Sequence, residues 1–248
     1  MTAALLAVIA AAVGFFIGAV GVGGILLIPA LVLLGGLGIH QATATALFSF
    51  FFTGVLGTWL FQRRGSIDWN MTVPVCAGAV VFSYLGAMVN SMVDAKMLAL
   101  IIALTIVLAG AYILLPVRAG VAQLRDGTST AQQLLLLTVG AAAGFGSGVS
   151  GAGGPLFSVP MMLVLRFVPL AAIGTSQVLQ IIAAVSGTIG NLRYGSIDFL
   201  TAAWITLFEL AGVVAGTRAA HAVSVTALRR MAAGLCVVVG LFMLVRSL

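Results

Sequence analysis

Two glycine clusters interrupt stretches where an apolar helix would otherwise run unbroken: Gly21-Val22-Gly23-Gly24 and Gly151-Ala152-Gly153-Gly154. Each follows a Gly-Phe pair, Gly14-Phe15 or Gly144-Phe145, and a further glycine, Gly18 or Gly148. The copies stand 130 residues apart. A glycine inside a helix costs about 1 kcal/mol relative to alanine, so three in four positions, twice, direct the backbone to open. The chain around them is 62% hydrophobic and 6% charged, where a soluble domain carries about 25% charge. Several apolar runs exceed the ~20 residues that cross a bilayer. The fold class is therefore an all-α polytopic membrane protein. Nucleotide-binding readings of the glycines fail, because those loops follow a soluble strand and a P-loop continues into Gly-Lys-Ser/Thr.

In order, 5–34 is one apolar stretch broken by the first cluster, and 42–62 is a second span closed by Arg63-Arg64-Gly65. Asp68 caps a third span over 69–90, with Trp69 as an interfacial anchor. A fourth runs to Leu115 and stops at Pro116. Residues 117–130 form the one substantial polar connection, and then the pattern restarts: a broken segment over 133–165 and spans at 171–192, 199–220 and 226–246. Gly65-Ser66-Ile67-Asp68 returns as Gly195-Ser196-Ile197-Asp198 at the same offset, read as one tight turn and helix cap used twice. The organisation is thus a first transmembrane repeat over 1–116, a polar connection over 117–130 expected in the cytoplasm, and a second repeat over 131–248, a layout common among secondary transporters. No charged n-region with a small-residue cleavage site is present, so Met1–Leu34 is expected to be retained. Cys76 and Cys236 read as small core residues rather than as metal ligands or a disulfide.

Basic residues discriminate two topologies. If each broken segment crosses once, the halves run parallel, and the basic residues divide six against five between the faces. If each is a re-entrant hairpin of two half-helices, the halves are inverted. One face then carries Arg63, Arg64, Arg118, Arg125, Arg166, Arg218, Arg229 and Arg230, and the other Lys96, Arg193 and Arg246. The second division is the one the positive-inside rule expects. Thirty helical residues would also reach about 45 Å, too far for a ~30 Å hydrocarbon core without steep tilt. An inverted repeat is expected, with the N-terminus outside. The net charge of +6 then reports topology, not nucleic-acid binding. The expected partners are the bilayer and a small anionic substrate, a homodimer being compatible with both.

An opened helix in lipid leaves backbone groups unpaired, which is tolerated only against protein or a water-filled cavity. Half-helices starting near Gly24 and Gly154 present amides and the positive end of the helix dipole, an anion site that needs no cationic side chain. Gly23, Gly24, Gly153 and Gly154 are the candidate backbone ligands, since a Cβ would hold the anion off. Gly14, Gly18, Gly144 and Gly148 read as helix-packing positions. Candidate side-chain donors are Thr43, Thr45 and Ser49 in the second span, and Thr175, Ser176, Gln177 and Gln180 in the sixth. The two glutamines share a helix face, and an amide inside a membrane needs partners. Asn191 reads as capping or interfacial. Glu209 is the one acidic residue deep in a span, with Ala79 at its counterpart. A carboxyl group there suits proton coupling. His40 and His221 lie near connections, away from Cys and carboxylates, so catalysis is not expected, and no metal or other cofactor is required.

The run Gly14-Phe15 through Gly18 and Gly21-Val22-Gly23-Gly24 to Pro29, its second copy from Gly144-Phe145 to Pro160, and the triplet Gly174-Thr175-Ser176 resemble the sulfite exporter TauE/SafE family of membrane transporters. The resemblance covers essentially the whole chain. The first half departs at the triplet, with Ala44-Thr45-Ala46 in its place. The resemblance implies transport of a small sulfur-containing anion such as sulfite, a sulfonate or sulfoacetate, with export the expected direction and alternating access around the two hairpins the expected mechanism. A passive anion channel and a carrier for another small organic anion are the alternatives.

Overall fold

The computed structural model describes residues 2–21, 23–114 and 128–222, with positions 234, 237, 238, 241 and 244 beyond them. These residues are helical, with no strand among them. Helix α1 (Thr2–Val20) is followed by a 3₁₀ turn (Gly24–Leu26) leading into the short α2 (Leu27–Leu33). Then come α3 (Ile39–Arg63), α4 (Trp69–Met92) and α5 (Ala95–Leu114). The second half has α6 (Thr130–Ser150), α7 (Pro155–Val164), α8 (Pro169–Tyr194) and α9 (Phe199–Ala222). Six of these are long and apolar enough to cross a membrane: α1, α3, α4, α6, α8 and α9. Most of the expected last span, most of the polar connection and Cys236 lie outside the described residues. Cys76 is a free, partly buried thiol in α4.

The glycine clusters break the helices for a definable reason. Gly21 and Gly151 have φ of 74° and 68°, the left-handed region that glycine enters without a Cβ penalty. Each donates its amide back four residues, to Ile17 O at 3.0 Å and Ser147 O at 2.8 Å. That is a glycine-terminated helix end.

The hairpins differ from the expected pair of half-helices. Their first arms, of 19 and 21 residues, are full-length, about 28 and 32 Å. Only the second arms, Gly24–Leu33 and Pro155–Val164, are short. Helix α1 is apolar to its last residue, so nothing but the glycines marks where it ends, whereas α6 also has Ser147 and Ser150 in its last turn.

The halves pack by exchange. The most extensive contacts are α4 with α6 and α1 with α9, followed by α4 with α8, α3 with α8 and α3 with α9. A shift of 130 residues turns each of these pairs into another of the set, or into itself for α3 and α8. Glycines permit the closest approaches. A Cβ at Gly14 or Gly18 would collide with the Glu209 or Val213 carbonyl on α9, and one at Gly144 or Gly148 with Ala79 or the Ser83 carbonyl on α4. These four glycines are packing positions, as expected.

The same contacts give helix directions. Leu47 lies against Gly187, and Gly57 against Gln177, so α3 and α8 run antiparallel. Gly78 lies beside Leu137 and Gly86 beside Phe145, so α4 and α6 run parallel, as do α1 and α9.

The repeated turn is only partly repeated. Asp68 Oδ1 accepts from the Asn70 amide at 2.9 Å, and Asp198 Oδ1 from the Thr201 amide at 3.0 Å, so both aspartates cap. Gly65 is left-handed at φ 64°, however, while Gly195 is extended at φ −128°. One sequence motif therefore serves two backbone conformations.

Candidate substrate site at the two helix breaks

The exchange of helices brings the two breaks together. A Cβ on Gly24 would meet the Ala152 carbonyl of the other break and the ring of Phe50, and one on Gly153 would meet the same ring. Gly154 faces Leu179 and the Gln180 amide nitrogen, while Gly23 folds back against Val13 and Phe16 of its own first arm. All four glycines are buried. Phe50 is fully buried too, and its ring occupies the space between the breaks. An apolar residue in an apolar span carries no sequence signal of such a position, and Phe50 was not among the expected site residues.

Two glutamines tie α8 to the first half. Gln180 Nε2 donates to Phe50 O at 3.0 Å and Thr53 Oγ1 at 2.7 Å, so it fixes the backbone that carries Phe50. Gln177 Nε2 donates to Ile17 O at 3.1 Å, in the last turn of α1. The Gln177 Oε1 is buried without a hydrogen-bond partner.

The second broken helix has its own amide. Asn90 Nδ2 donates to Val149 O, in the last turn of α6, at 2.6 Å, and to Thr43 Oγ1 at 3.3 Å. Its Oδ1 faces His40 Nδ1 at 3.2 Å. Each long arm thus takes a side-chain amide from the opposite half in its last turn: Val149 O from Asn90, as terminal carbonyls without intrahelical donors require, and Ile17 O, which also accepts the Gly21 amide, from Gln177. Asn90 was absent from the expected site. The rule that singled out the glutamines, an amide within an apolar span, identifies it equally.

The remaining candidates do not converge on one point. Thr43 lies at Gly151 and donates to His40 O at 2.8 Å. Thr45 Oγ1 accepts the Asp198 amide at 3.0 Å, and Thr175 Oγ1 meets Thr72 Oγ1 at 2.9 Å. Ser176 donates to Ile173 O at 2.7 Å beside Gly21. Ser49 donates to Ala46 O at 2.8 Å and lies beside the Glu209 carboxyl. Glu209 is fully buried, and the geometry gives neither oxygen a hydrogen-bond partner, because the Ser49 proton is directed at Ala46. At the far end of α9, the Thr201 amide and hydroxyl hold the Asp198 carboxyl below the usual carboxylate range. Asn191 is buried near the end of α8, where its backbone carbonyl accepts the Gly195 amide. No group of three His, Cys, Asp or Glu that could hold a metal ion occurs among the described residues.

Six membrane-length helices, two of them the long arms of the broken segments, define a multi-pass membrane protein. The model of the sulfite exporter TauE/SafE family matches residues 5–244, and the chain belongs to that family. It is 30% identical to the probable membrane transporter protein YdhB of Bacillus subtilis over 210 residues, covering 83% of this chain and 85% of that one. It is 24% identical to a probable membrane transporter protein of Methanocaldococcus jannaschii, over 94% and 93% of the two chains. It is likewise 24% identical to YunE, a further probable membrane transporter protein of Bacillus subtilis, over 80% of each. No solved structure matches.

Proposed function

We propose that this chain is a secondary transporter that moves a small sulfur-containing anion, a sulfite-, sulfonate- or sulfoacetate-like species, across the cytoplasmic membrane of a bacterium. Export is the direction we favour, with proton coupling and alternating access at the two breaks. The observation that carries the reading is the contact of Gly24 with Ala152 around Phe50. Two opened backbones from opposite halves meet at one buried place, where amides and helix N-termini favour an anion. Gly23, Gly24, Gly153 and Gly154 would supply backbone donors. Gln177 and Gln180, with Thr43, Thr45, Ser49, Thr175 and Ser176, would line the surrounding passages. In the conformation described, protein atoms fill that place, which favours a carrier that opens on one side at a time over a permanently open channel.

Support for inverted halves comes from the antiparallel course of α3 and α8, equivalent helices in the two repeats. By the same directions Arg63, Arg64, Arg166 and Arg218 fall at one face, and Lys96 and Arg193 at the other. The positive-inside rule makes the first face cytoplasmic. Glu209, present in one half only, is the candidate proton carrier.

The test is thermal unfolding of the purified protein with sulfite, sulfate, thiosulfate, taurine or sulfoacetate. Selective stabilisation by one or more is expected, growing with concentration as binding linkage requires. Equal response to all of them and to chloride would remove the sulfur-anion reading. In proteoliposomes, Glu209→Gln is expected to abolish the pH dependence of flux.

A further inference from the structure

A carboxyl group as enclosed as Glu209 needs a path to water if it is to gain and lose a proton. Glu209 packs among α1, α3 and α9. Helix α1 carries no ionisable side chain, α3 has only His40 and Arg63 near its ends, and α9 has Asp198 before its start and Arg218 and His221 near its finish. No second ionisable group lies at mid-depth on these elements. Hydroxyls do. Thr45 and Ser49 stand four residues apart on α3, so they stack on one helix face, and both are fully buried. Ser49 lies beside the Glu209 carboxyl. Thr45 Oγ1 accepts the amide of Asp198 in the α8–α9 turn, at the membrane face. In the other direction the next turn of α9 presents Val213, and α1 presents Ile17, both buried and apolar. Thr53, one further turn along α3, is taken by Gln180.

The other half supplies an internal comparison. The counterparts of Thr45, Ser49 and Glu209 are Thr175, Leu179 and Ala79. There Thr175 meets the Thr72 hydroxyl near the start of α4, but along α8 the next position is Leu179, and the pair leads to no carboxyl. The hydroxyl at the Ser49 position thus accompanies the buried acid in one repeat, and both are missing from the other.

We propose that Glu209 exchanges its proton with the membrane face bearing the α8–α9 turn, through Ser49 and Thr45, with Asp198 at the mouth. This rests on the proton-coupling reading above and adds its route and side. On loading, a proton arriving from water binds the Thr45 oxygen as Thr45 releases its own toward Ser49. The gap of roughly 5–6 Å between such side chains is one that a single water bridges. Ser49, its hydroxyl turned from Ala46 O, passes a proton to a Glu209 oxygen. Both hydroxyls end neutral and unchanged, and the carboxylate becomes a carboxylic acid. Unloading is the reverse.

The test follows the carbonyl stretch of the protonated carboxyl by infrared spectroscopy, in the full-length protein reconstituted with one orientation and stepped in pH on one side at a time. Loss of the band in Glu209→Gln assigns it. We expect the assigned band to respond to steps on the α8–α9 face. Its rate should fall at least tenfold in Thr45→Val/Ser49→Ala and be restored in Thr45→Ser/Ser49→Thr, which keeps the hydroxyls and controls for folding. An equally fast response from the opposite face, or a wild-type rate in Thr45→Val/Ser49→Ala, overturns the route while leaving proton coupling intact. A band that never titrates overturns both.

Discussion

Individual residues here do work that their chemical type announces only in part. Asn90 is an example. Its amide satisfies the Val149 carbonyl at the end of a broken helix, so Asn90→Leu leaves a buried acceptor unpaired and should cost about 1–3 kcal/mol. Denaturant unfolding in detergent, compared with Asn90→Gln, reads that loss. At Gly24 the neighbour is a backbone carbonyl and a buried ring, so Gly24→Ala forces one break away from the other. We expect folded protein with transport reduced at least tenfold, measured by counterflow in proteoliposomes. Asp198 offers a pH test. Its folded pKa is depressed by Thr201, so the cap stabilises fully above the unfolded carboxylate value of about 3.9. The contribution fades as pH falls through the lower folded value. The difference in melting temperature between the protein and Asp198→Asn should therefore shrink on acidification below about pH 4.

At the scale of elements, the close pairs α1–α9 and α4–α6 depend on glycine faces. Gly144→Val puts a branched side chain against Ala79 and Ser83 and should separate α6 from α4. Overpacking typically costs about 1–3 kcal/mol. The equivalent Gly14→Val strikes the Glu209 backbone, so it should also shift the pH dependence of flux, which Gly144→Val leaves in place. Much at this scale is legible in the sequence. Apolar length predicts the spans, and glycines predict the breaks, because backbone entropy and bilayer thickness act locally. The unequal arms are not legible, since each cluster sits inside a longer segment, 5–34 or 133–165, whose composition does not say how long either arm is. Nor is the core of the site. Phe50 gains its place from the meeting of two breaks distant in sequence, and Thr45 and Thr175, alike in the repeat, face different partners.

For the whole molecule, the 130-residue offset predicts more than repetition. It predicts that contacts come in exchanged pairs, and they do. Inverted halves make a direct prediction: cysteines placed at Ser66 and Ser196 in a Cys-free background should label from opposite sides of the membrane. Labelling from the same side would require parallel halves. Exchange packing also bears on biosynthesis. Helix α1 leaves the ribosome well before its principal neighbour, α9, which starts at Phe199. At roughly 5–20 residues per second, α1 waits on the order of 10–40 s in the bilayer with its glycine face against lipid. A chaperone or the insertion machinery has that interval in which to hold it, and a nascent chain stalled before α9 would present that uncovered face to membrane proteases.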